Sequence, residues 1–163
     1  MSLLRSPEGV IMAEPYAVLR FIGDYRFLSN FYASPITLDG VIYLTVEHYF
    51  QSQKTNVKSE KERIINAAYA RQAKMWGRSV TLRDDWDDVK LGAMRLGVYL
   101  KFHQSRVLKK KLVSTGNSIL IEGNDWHDNF WGICFCNTCH DNTPGQNHLG
   151  KILMSLRESL WSS

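Results

Sequence analysis

Residues 36–54 read Ile-Thr-Leu-Asp-Gly-Val-Ile-Tyr-Leu-Thr-Val-Glu-His-Tyr-Phe-Gln-Ser-Gln-Lys, and this stretch predicts a β-hairpin followed directly by an α-helix. Apolar residues alternate on both sides of Asp39-Gly40, and this dipeptide is a strong signal for a two-residue hairpin turn. Thr45 then stands where an N-cap is expected, because its hydroxyl can accept a bond from the first turn of a helix. The helix is expected to run through Lys54.

The predicted helix places three polar side chains on one face. Glu47, Gln51 and Lys54 follow one another at helical spacing, so that a carboxylate, an amide and an amine lie within two turns. A carboxylate keeps a nearby amine charged, whereas a dry pocket can remove its proton and make it nucleophilic. An exposed helix with ordinary surface charges is the alternative interpretation of the same spacing.

The rest of the chain predicts an α+β protein, a mostly helical single domain with a small antiparallel sheet. The 163 residues are 44% hydrophobic and 22% charged, which excludes a disordered chain, and no apolar run is long enough to cross a membrane. Residues 1–14 are expected to form a flexible tail and residues 15–163 the folded domain. Short strands are expected over 16–28, and Ser59-Glu-Lys-Glu62 resembles a capping box that opens a helix.

Charge and local motifs suggest an anionic ligand without requiring one. The net charge of +4 suits a phosphorylated partner, although solubility alone also explains it. Trp86 and Lys90 share a helix face, where an indole can stack on a base and an amine can pair with phosphate; favourable acids at a helix start are the alternative. Asp128, three residues before Trp131, is a candidate acid or a simple turn cap. The glycine-containing loop 145–150 can offer amides to phosphate.

The three cysteines lie close together near the C-terminal end. Cys134, Cys136 and Cys139, with His140, offer four soft metal ligands within seven residues. Structural zinc sites usually draw their ligands as pairs from two separate places, and no second pair is present in the sequence. The interpretation is therefore reduced thiols in a cytoplasmic protein, with no metal site.

Six motifs follow one another along the chain. They are Phe27-Leu-Ser-Asn-Phe31, Glu47-His-Tyr-Phe-Gln-x-Gln-Lys54, Trp86-x-x-x-Lys90, Lys101-Phe102, Asp128-x-x-Trp-Gly132 and Gly145-x-Asn-x-Leu-Gly150, the last followed by Leu153-Met154 and Arg157. In this order they resemble the YbiA-like family, also called NADAR, over roughly residues 19–160. The segment 134–143 is longer than the linker expected in compact members. It lies between two of the motifs, where it is expected to reshape the substrate entrance.

The resemblance implies a YbiA-like fold and an N-glycosidase, a hydrolase that cleaves a nitrogen–ribose bond without a metal or other cofactor. It implies two substrate classes: ribosylamino-pyrimidine phosphates of riboflavin synthesis, and ADP-ribosylated guanine in a nucleotide or DNA. A module that binds ADP-ribose or a nucleotide without cleaving it is the alternative. No membrane partner is expected. The resemblance carries catalytic roles to Glu47, Lys54 and Asp128, and substrate-binding roles to Asn30, Phe31, Gln51, Trp86, Lys90, Trp131, Gly132 and Asn147.

These residues suggest a mechanism. A carboxylate stabilises the positive charge that develops on the ribose carbon, and an acid protonates the departing nitrogen. Glu47 is assigned the first role or the activation of water, and Asp128 is assigned the acid or a ribose-hydroxyl contact. Lys54 either neutralises a phosphate or attacks the anomeric carbon and forms a Schiff base.

Overall fold

Six α-helices and eight short strands make up the described part of the chain, which comprises residues 4–5, 11–12, 16–136, 138–139 and 144–161 of a computed structural model. The helices are α1 (Val46–Ser52), α2 (Lys58–Ile65), α3 (Ala70–Gly77), α4 (Trp86–Gln104), α5 (Arg106–Ser114) and α6 (His148–Trp161). The strands are β1 (Leu4–Arg5), β2 (Ile11–Met12), β3 (Ala17–Val18), β4 (Ile36–Leu38), β5 (Val41–Tyr43), β6 (Ile119–Leu120), β7 (Gly123–Asn124) and β8 (Ile133–Cys134).

The chain divides into two compact units. The central unit comprises Arg26–Lys110, and the terminal unit comprises Met1–Tyr25 together with Lys111–Ser163. The predicted α+β class with mainly helical content is confirmed. Among the described residues, no helix combines the length and apolar character that crossing a membrane requires.

The predicted hairpin opens the central unit. Strands β4 and β5 pair antiparallel, with Ile36 opposite Tyr43 and Leu38 opposite Val41. Asp39 has φ 50° and Gly40 φ 78°, the left-handed pair that a tight hairpin turn needs to follow the twist of its strands. The hairpin packs against α4 and delivers the chain to α1.

Helix α1 is the centre of this unit and contacts α2, α3 and α4. Thr45 caps it as predicted, since its hydroxyl oxygen accepts a bond of 3.3 Å from the amide of His48. All seven residues of α1 are buried, and its C-terminal end comes earlier than predicted because Lys54 lies two residues beyond the last helical residue, Ser52. The fully buried His48 ring contacts the Thr45 hydroxyl and the Ala67 carbonyl, and burial lowers its pKa.

The predicted capping box at Ser59 is wrong. Helix α2 begins two residues earlier, with Val57 rather than Ser59 at the N-cap position, and no side chain caps it. Glu60, which belongs to this stretch, instead accepts bonds from the Thr55 hydroxyl and from Thr81. The carboxylate therefore joins two loops, a contact between distant segments that local spacing does not reveal.

Two parallel strand pairs organise the terminal unit. Strand β3 pairs with β6, which α6 covers, and β7 pairs with β8. Only Ala17–Val18 of the predicted strands over 16–28 forms, because a 3₁₀ helix occupies Gly23–Leu28. Gly132 sits so close to the Glu122 carbonyl that an added Cβ would lie 2.0 Å from that oxygen. Of the predicted tail, β1 and β2 pair antiparallel, and residues 1–3, 6–10 and 13–14 lie outside the described residues.

Candidate active site

The Glu47 carboxylate is buried on α1, with 5% of the residue exposed. Its Oε1 accepts a hydrogen bond of 2.8 Å from Nε2 of Gln51, one helical turn further on. The backbone amide of Glu47 donates to the carbonyl of Asn30 at 3.1 Å. The predicted shared face of Glu47 and Gln51 is therefore present, and it points into the protein.

Gln51 packs tightly against the last residue of α3. A Cβ built on Gly77 would lie 2.0 Å from Oε1 of Gln51, so only glycine leaves room for this side chain. The Gly77 carbonyl in turn accepts a bond of 3.5 Å from Nζ of Lys54. A continuous set of contacts thus links the carboxylate of Glu47 with the amine of Lys54.

Lys54 is half-buried beside an aromatic wall. Its Nζ lies 6.0 Å from the ring centroid of Trp86, and Phe50 packs on that indole with 5.2 Å between centroids. Burial lowers the pKa of Lys54 below its ordinary value, the neighbouring Glu47 carboxylate opposes this shift, and two further cations add to it. The amine is therefore easier to deprotonate than an exposed lysine.

The two further cations are residues that sequence reasoning missed. Lys74 of α3 and Arg78, directly after that helix, both lower the pKa of Lys54 by like-charge repulsion. Nζ of Lys74 also lies 5.4 Å from the ring centroid of Phe31. Their i, i+4 spacing marks a basic helix face, but only the packing of α3 on α1 brings that face to Lys54.

The other predicted residues of the central unit have mixed surroundings. Asn30 is buried and its Nδ2 donates to Sδ of Met94 at 3.2 Å, whereas Phe31 is 38% exposed. Lys90 contacts Asp87 of the same helix at 2.5 Å, with 23% of its side chain exposed. Binding roles for these residues stay predictions.

In the terminal unit, the Asp128 side chain caps its own turn. Its Oδ1 accepts bonds from the amides of Phe130 at 3.2 Å and Trp131 at 2.8 Å. The turn cap is the alternative that the sequence had left open for this residue. Trp131 is half-buried rather than part of the core, and its ring lies at right angles to that of Phe130. The catalytic role of Asp128 stays a prediction.

The loop before α6 does not offer its amides to phosphate as the glycine pattern suggested. The amides of residues 146–149 donate to the carbonyls of residues 129–132, at 2.7–3.2 Å. Asn147, with φ 50°, uses Oδ1 to accept from the amide of Glu122 and Nδ2 to donate to the carbonyl of Leu120. Its side chain therefore ties the loop to β6, and a substrate contact for Asn147 stays a prediction.

Comparison with known proteins identifies relatives along most of the chain. A family model described as the NADAR domain matches residues 20–161. An N-glycosidase of Nostoc punctiforme is 41% identical over 142 residues, covering 83% of this chain and 86% of that protein. A riboflavin biosynthesis protein of Vibrio vulnificus is 35% identical over 161 residues, which is 98% of this chain but 42% of that protein.

A solved structure shares the fold. The NMR structure of Escherichia coli YbiA matches with a TM-score of 0.78 and 34% identity, covering 92% of this chain and 88% of that one. The corresponding curated sequence, from strain K12, is named N-glycosidase YbiA and is 38% identical over 139 residues, or 84% of this chain and 82% of that protein. The YbiA-like fold predicted from the six motifs is confirmed.

Proposed function

The chain belongs to the NADAR family, and from this premise we propose that it hydrolyses the bond between a nitrogenous base and ribose in a phosphorylated ribosyl compound. The expected family and the expected enzyme class, a hydrolase of N-glycosyl compounds, are confirmed by the relatives. The substrate and the roles of individual residues are the proposal.

One observation carries the assignment of the active site. Contacts through Gln51 and Gly77 link the buried Glu47 carboxylate to the half-buried Lys54 amine. The amine lies beside the indole of Trp86. Cleavage of an N-glycosidic bond develops positive charge on the anomeric carbon, which a nearby carboxylate stabilises. An indole supplies a flat surface on which the base can stack.

Glu47 acts at the ribose carbon. Its carboxylate stabilises the oxocarbenium-like transition state, and it takes a proton from water when water is the nucleophile. The hydrogen bond from Gln51 holds Oε1 of Glu47 in one orientation. This favours the role, because the carboxylate does not have to reorient as charge develops on the ribose carbon.

Lys54 offers a covalent route to the same products. Its neutral amine attacks the anomeric carbon, the carbon–nitrogen bond to the base breaks, and the base leaves with a proton. Loss of the amine proton and opening of the ribose ring give an imine on Lys54, and one water then releases ribose phosphate and restores the amine. The lowered pKa of Lys54 supports this route, since it increases the neutral fraction.

The charges of the central unit support a phosphorylated substrate. Lys74 and Arg78 stand close enough to Lys54 to lower its pKa, and neither cation is needed for bond cleavage itself. A phosphate would relieve this like-charge repulsion. The name of the Vibrio relative favours a ribosylamino-pyrimidine phosphate, and ADP-ribosylated guanine is the second candidate. Asp128 and Trp131 are proposed as the acid or ribose contact and as a base-contacting ring.

The test compares two substrates and one variant. The protein and its Glu47→Gln variant are incubated with the ribosylamino-pyrimidine phosphate and, separately, with ADP-ribosylated guanosine. Release of ribose phosphate or of ADP-ribose by the unmodified protein, with little release by the variant, supports the proposal and selects the substrate. Saturable binding of either compound without release would instead identify a binding module and overturn the proposal.

A further inference from the structure

Four side chains of the types that ligate metals meet in the terminal unit. His127 follows β7, Cys134 ends β8, and Cys136 and Cys139 lie in the segment after it. Their imidazole nitrogen and three sulfurs all lie within 4.8 Å of one another. The Nδ1 atom of His127 is 3.3 Å from each of the Cys136 and Cys139 sulfurs, which are themselves 3.2 Å apart.

We propose that His127, Cys134, Cys136 and Cys139 form a structural zinc site. Zinc in such sites is tetrahedral, and bonds of about 2.0–2.3 Å place its ligand atoms about 3.5–3.8 Å apart. The observed separations run from 3.2 Å to no more than 4.8 Å, so small side-chain movements are enough to enclose the ion. Three thiolates and one imidazole are a ligand set that zinc prefers over hard cations.

The position of His127 answers the spacing argument against zinc. That argument required a second pair of ligands from another place in the chain. His127 supplies one further ligand from a separate segment, three residues after the end of β7 and seven residues before Cys134. His140, the fourth ligand considered from the sequence, lies outside the described residues. The parallel pairing of β7 with β8 is what brings the histidine to the cysteines.

The surrounding loop holds the ligands in place. Asn129 accepts a bond of 2.9 Å from the amide of Cys134 and donates to the sulfur of Cys139 at 3.7 Å. The amide of Cys136 donates to the Cys134 sulfur at 3.4 Å. Such bonds to ligand atoms orient the side chains that bind a metal and tune its affinity.

The backbone at His127 adopts an unusual conformation. Its φ of 65° lies in the left-handed region, which a non-glycine residue rarely adopts. The buried Asn124 side chain fixes this turn, because its Oδ1 accepts from the amides of Trp126 and Asp128 on either side. The fold thus fixes the backbone from which the imidazole projects.

Four protein ligands close the coordination shell, and a closed shell is the mark of a structural zinc site rather than a catalytic one. The ion would join the segment after β7 to the segment after β8, and it takes no part in the proposed hydrolysis. The zinc proposal therefore stands or falls independently of the enzymatic one.

The experiment measures zinc directly in the whole protein. Protein purified under reducing conditions is loaded with Zn²⁺, desalted and analysed by elemental mass spectrometry, and its Zn²⁺ affinity is measured against a chromogenic chelator. The unmodified chain is expected to hold one zinc, and the double variant Cys136→Ser with Cys139→Ser none. Co²⁺ in place of Zn²⁺ should give the intense visible bands of tetrahedral thiolate coordination.

A histidine variant keeps the test informative if the double variant fails to fold. Asparagine tolerates the left-handed backbone, so His127→Asn removes the ligand with little strain. Because loss of an outer-shell partner alone costs about 10–100-fold in metal affinity, His127→Asn should weaken Zn²⁺ binding by about 100-fold or more. The matched control is His103→Asn, on the exposed surface of α4, which should bind like the unmodified protein.

Three results would overturn the zinc proposal. The first is that the reduced chain retains no metal after loading with Zn²⁺. The second is that the affinity for Zn²⁺ is unchanged in both the folded double variant and His127→Asn. The third is a Cys136–Cys139 disulfide that persists in the presence of reductant and Zn²⁺. None of them bears on hydrolysis of an N-glycoside, which is measured separately by release of ribose phosphate or ADP-ribose.

Discussion

Oε1 of Glu47 accepts a hydrogen bond of 2.8 Å from Nε2 of Gln51, one turn apart on α1. The donor in this bond is the amide nitrogen of Gln51. The amide oxygen of Gln51, its own Oε1 atom, is buried with no hydrogen-bond partner in the part of the chain that the structure describes. Burying such an atom without a partner costs roughly 1–3 kcal/mol. We infer that this cost is tolerated because the amide orients the carboxylate to which the proposed mechanism assigns a catalytic role.

The first prediction concerns the glycine that makes room for Gln51. In Gly77→Ala the new methyl group would overlap Oε1 of Gln51, so the amide must move and release Glu47. We expect kcat to fall by up to about 10²-fold, since misplacement of a catalytic group by about 1 Å has that effect. Steady-state kinetics measure the change. Gly92→Ala on α4 is the control, because its Cβ would meet nothing within 4 Å; equal kcat in both variants would contradict the positioning role.

The second prediction isolates the charge of Glu47. Glu47→Gln keeps an oxygen that can accept from Gln51 but removes the carboxylate, so the variant should fold and lose kcat by about 10²-fold or more. Release of product per active site is the measurement, with circular dichroism to verify folding. Glu62→Gln alters an exposed carboxylate of α2 and should leave kcat unchanged. A folded Glu47→Gln protein that turns over normally would remove Glu47 from the mechanism.

The third prediction separates the two roles of Lys54. Lys54→Arg retains a cation for phosphate but cannot form an imine, so the covalent route predicts that kcat is abolished while KM is nearly unchanged. Borohydride should trap a reduced adduct on Lys54 in the unmodified protein alone. Lys58→Arg, on the exposed surface of α2, is the control. Normal kcat in Lys54→Arg would exclude the covalent route.

The lowered pKa of Lys54 also sets the sign of a pH effect. A nucleophilic amine must be neutral, so kcat should rise with pH through this lowered pKa and level off before the ordinary lysine range. A phosphate-binding ammonium must be charged, so in that case KM would rise as pH passes through the same pKa. Profiles of kcat and KM against pH, recorded on one substrate, distinguish the two directions.

The fourth prediction concerns the aromatic wall. Trp86→Ala should weaken substrate binding by about 1–3 kcal/mol if the indole stacks on the base, with a smaller effect on kcat. Because Trp86 is largely buried against Phe50, thermal unfolding must accompany the kinetics. Trp86→Phe keeps a flat ring and should recover part of the affinity. If KM is unchanged in a folded Trp86→Ala protein, the indole has only a packing role.

The fifth prediction tests Asp128 without disturbing its turn. Asp128→Asn preserves an oxygen that can accept from the amides of Phe130 and Trp131, and it removes only the ionisable group. If Asp128 protonates the departing nitrogen, kcat should fall by about 10²-fold or more at unchanged thermal stability. Asp24→Asn, an exposed change in the same unit, serves as control. Unchanged kcat would leave Asp128 as a turn cap alone.

Local sequence patterns predicted the hairpin and the first helix of the central unit, because the interactions that form these elements span only a few residues. The Asp39-Gly40 turn and the Thr45 cap form as expected, since both depend on backbone preferences of adjacent residues. The spacing of Glu47 and Gln51 likewise places them on one face of α1. Helix ends were less predictable: α2 begins after Val57 without a side-chain cap, and Glu60 near its start accepts bonds from Thr55 and the distant Thr81.

The amino-acid sequence by itself thus determined the α+β class, the hairpin, the capped helix and, through six ordered motifs, the family. Only the tertiary structure decided that Gly77 packs on Gln51, that Lys74 and Arg78 act on Lys54, and that His127 joins the cysteines. The physical reason is the range of the interactions. Turns and caps involve neighbours in the chain, whereas these contacts arise when separate helices and parallel strands pack together.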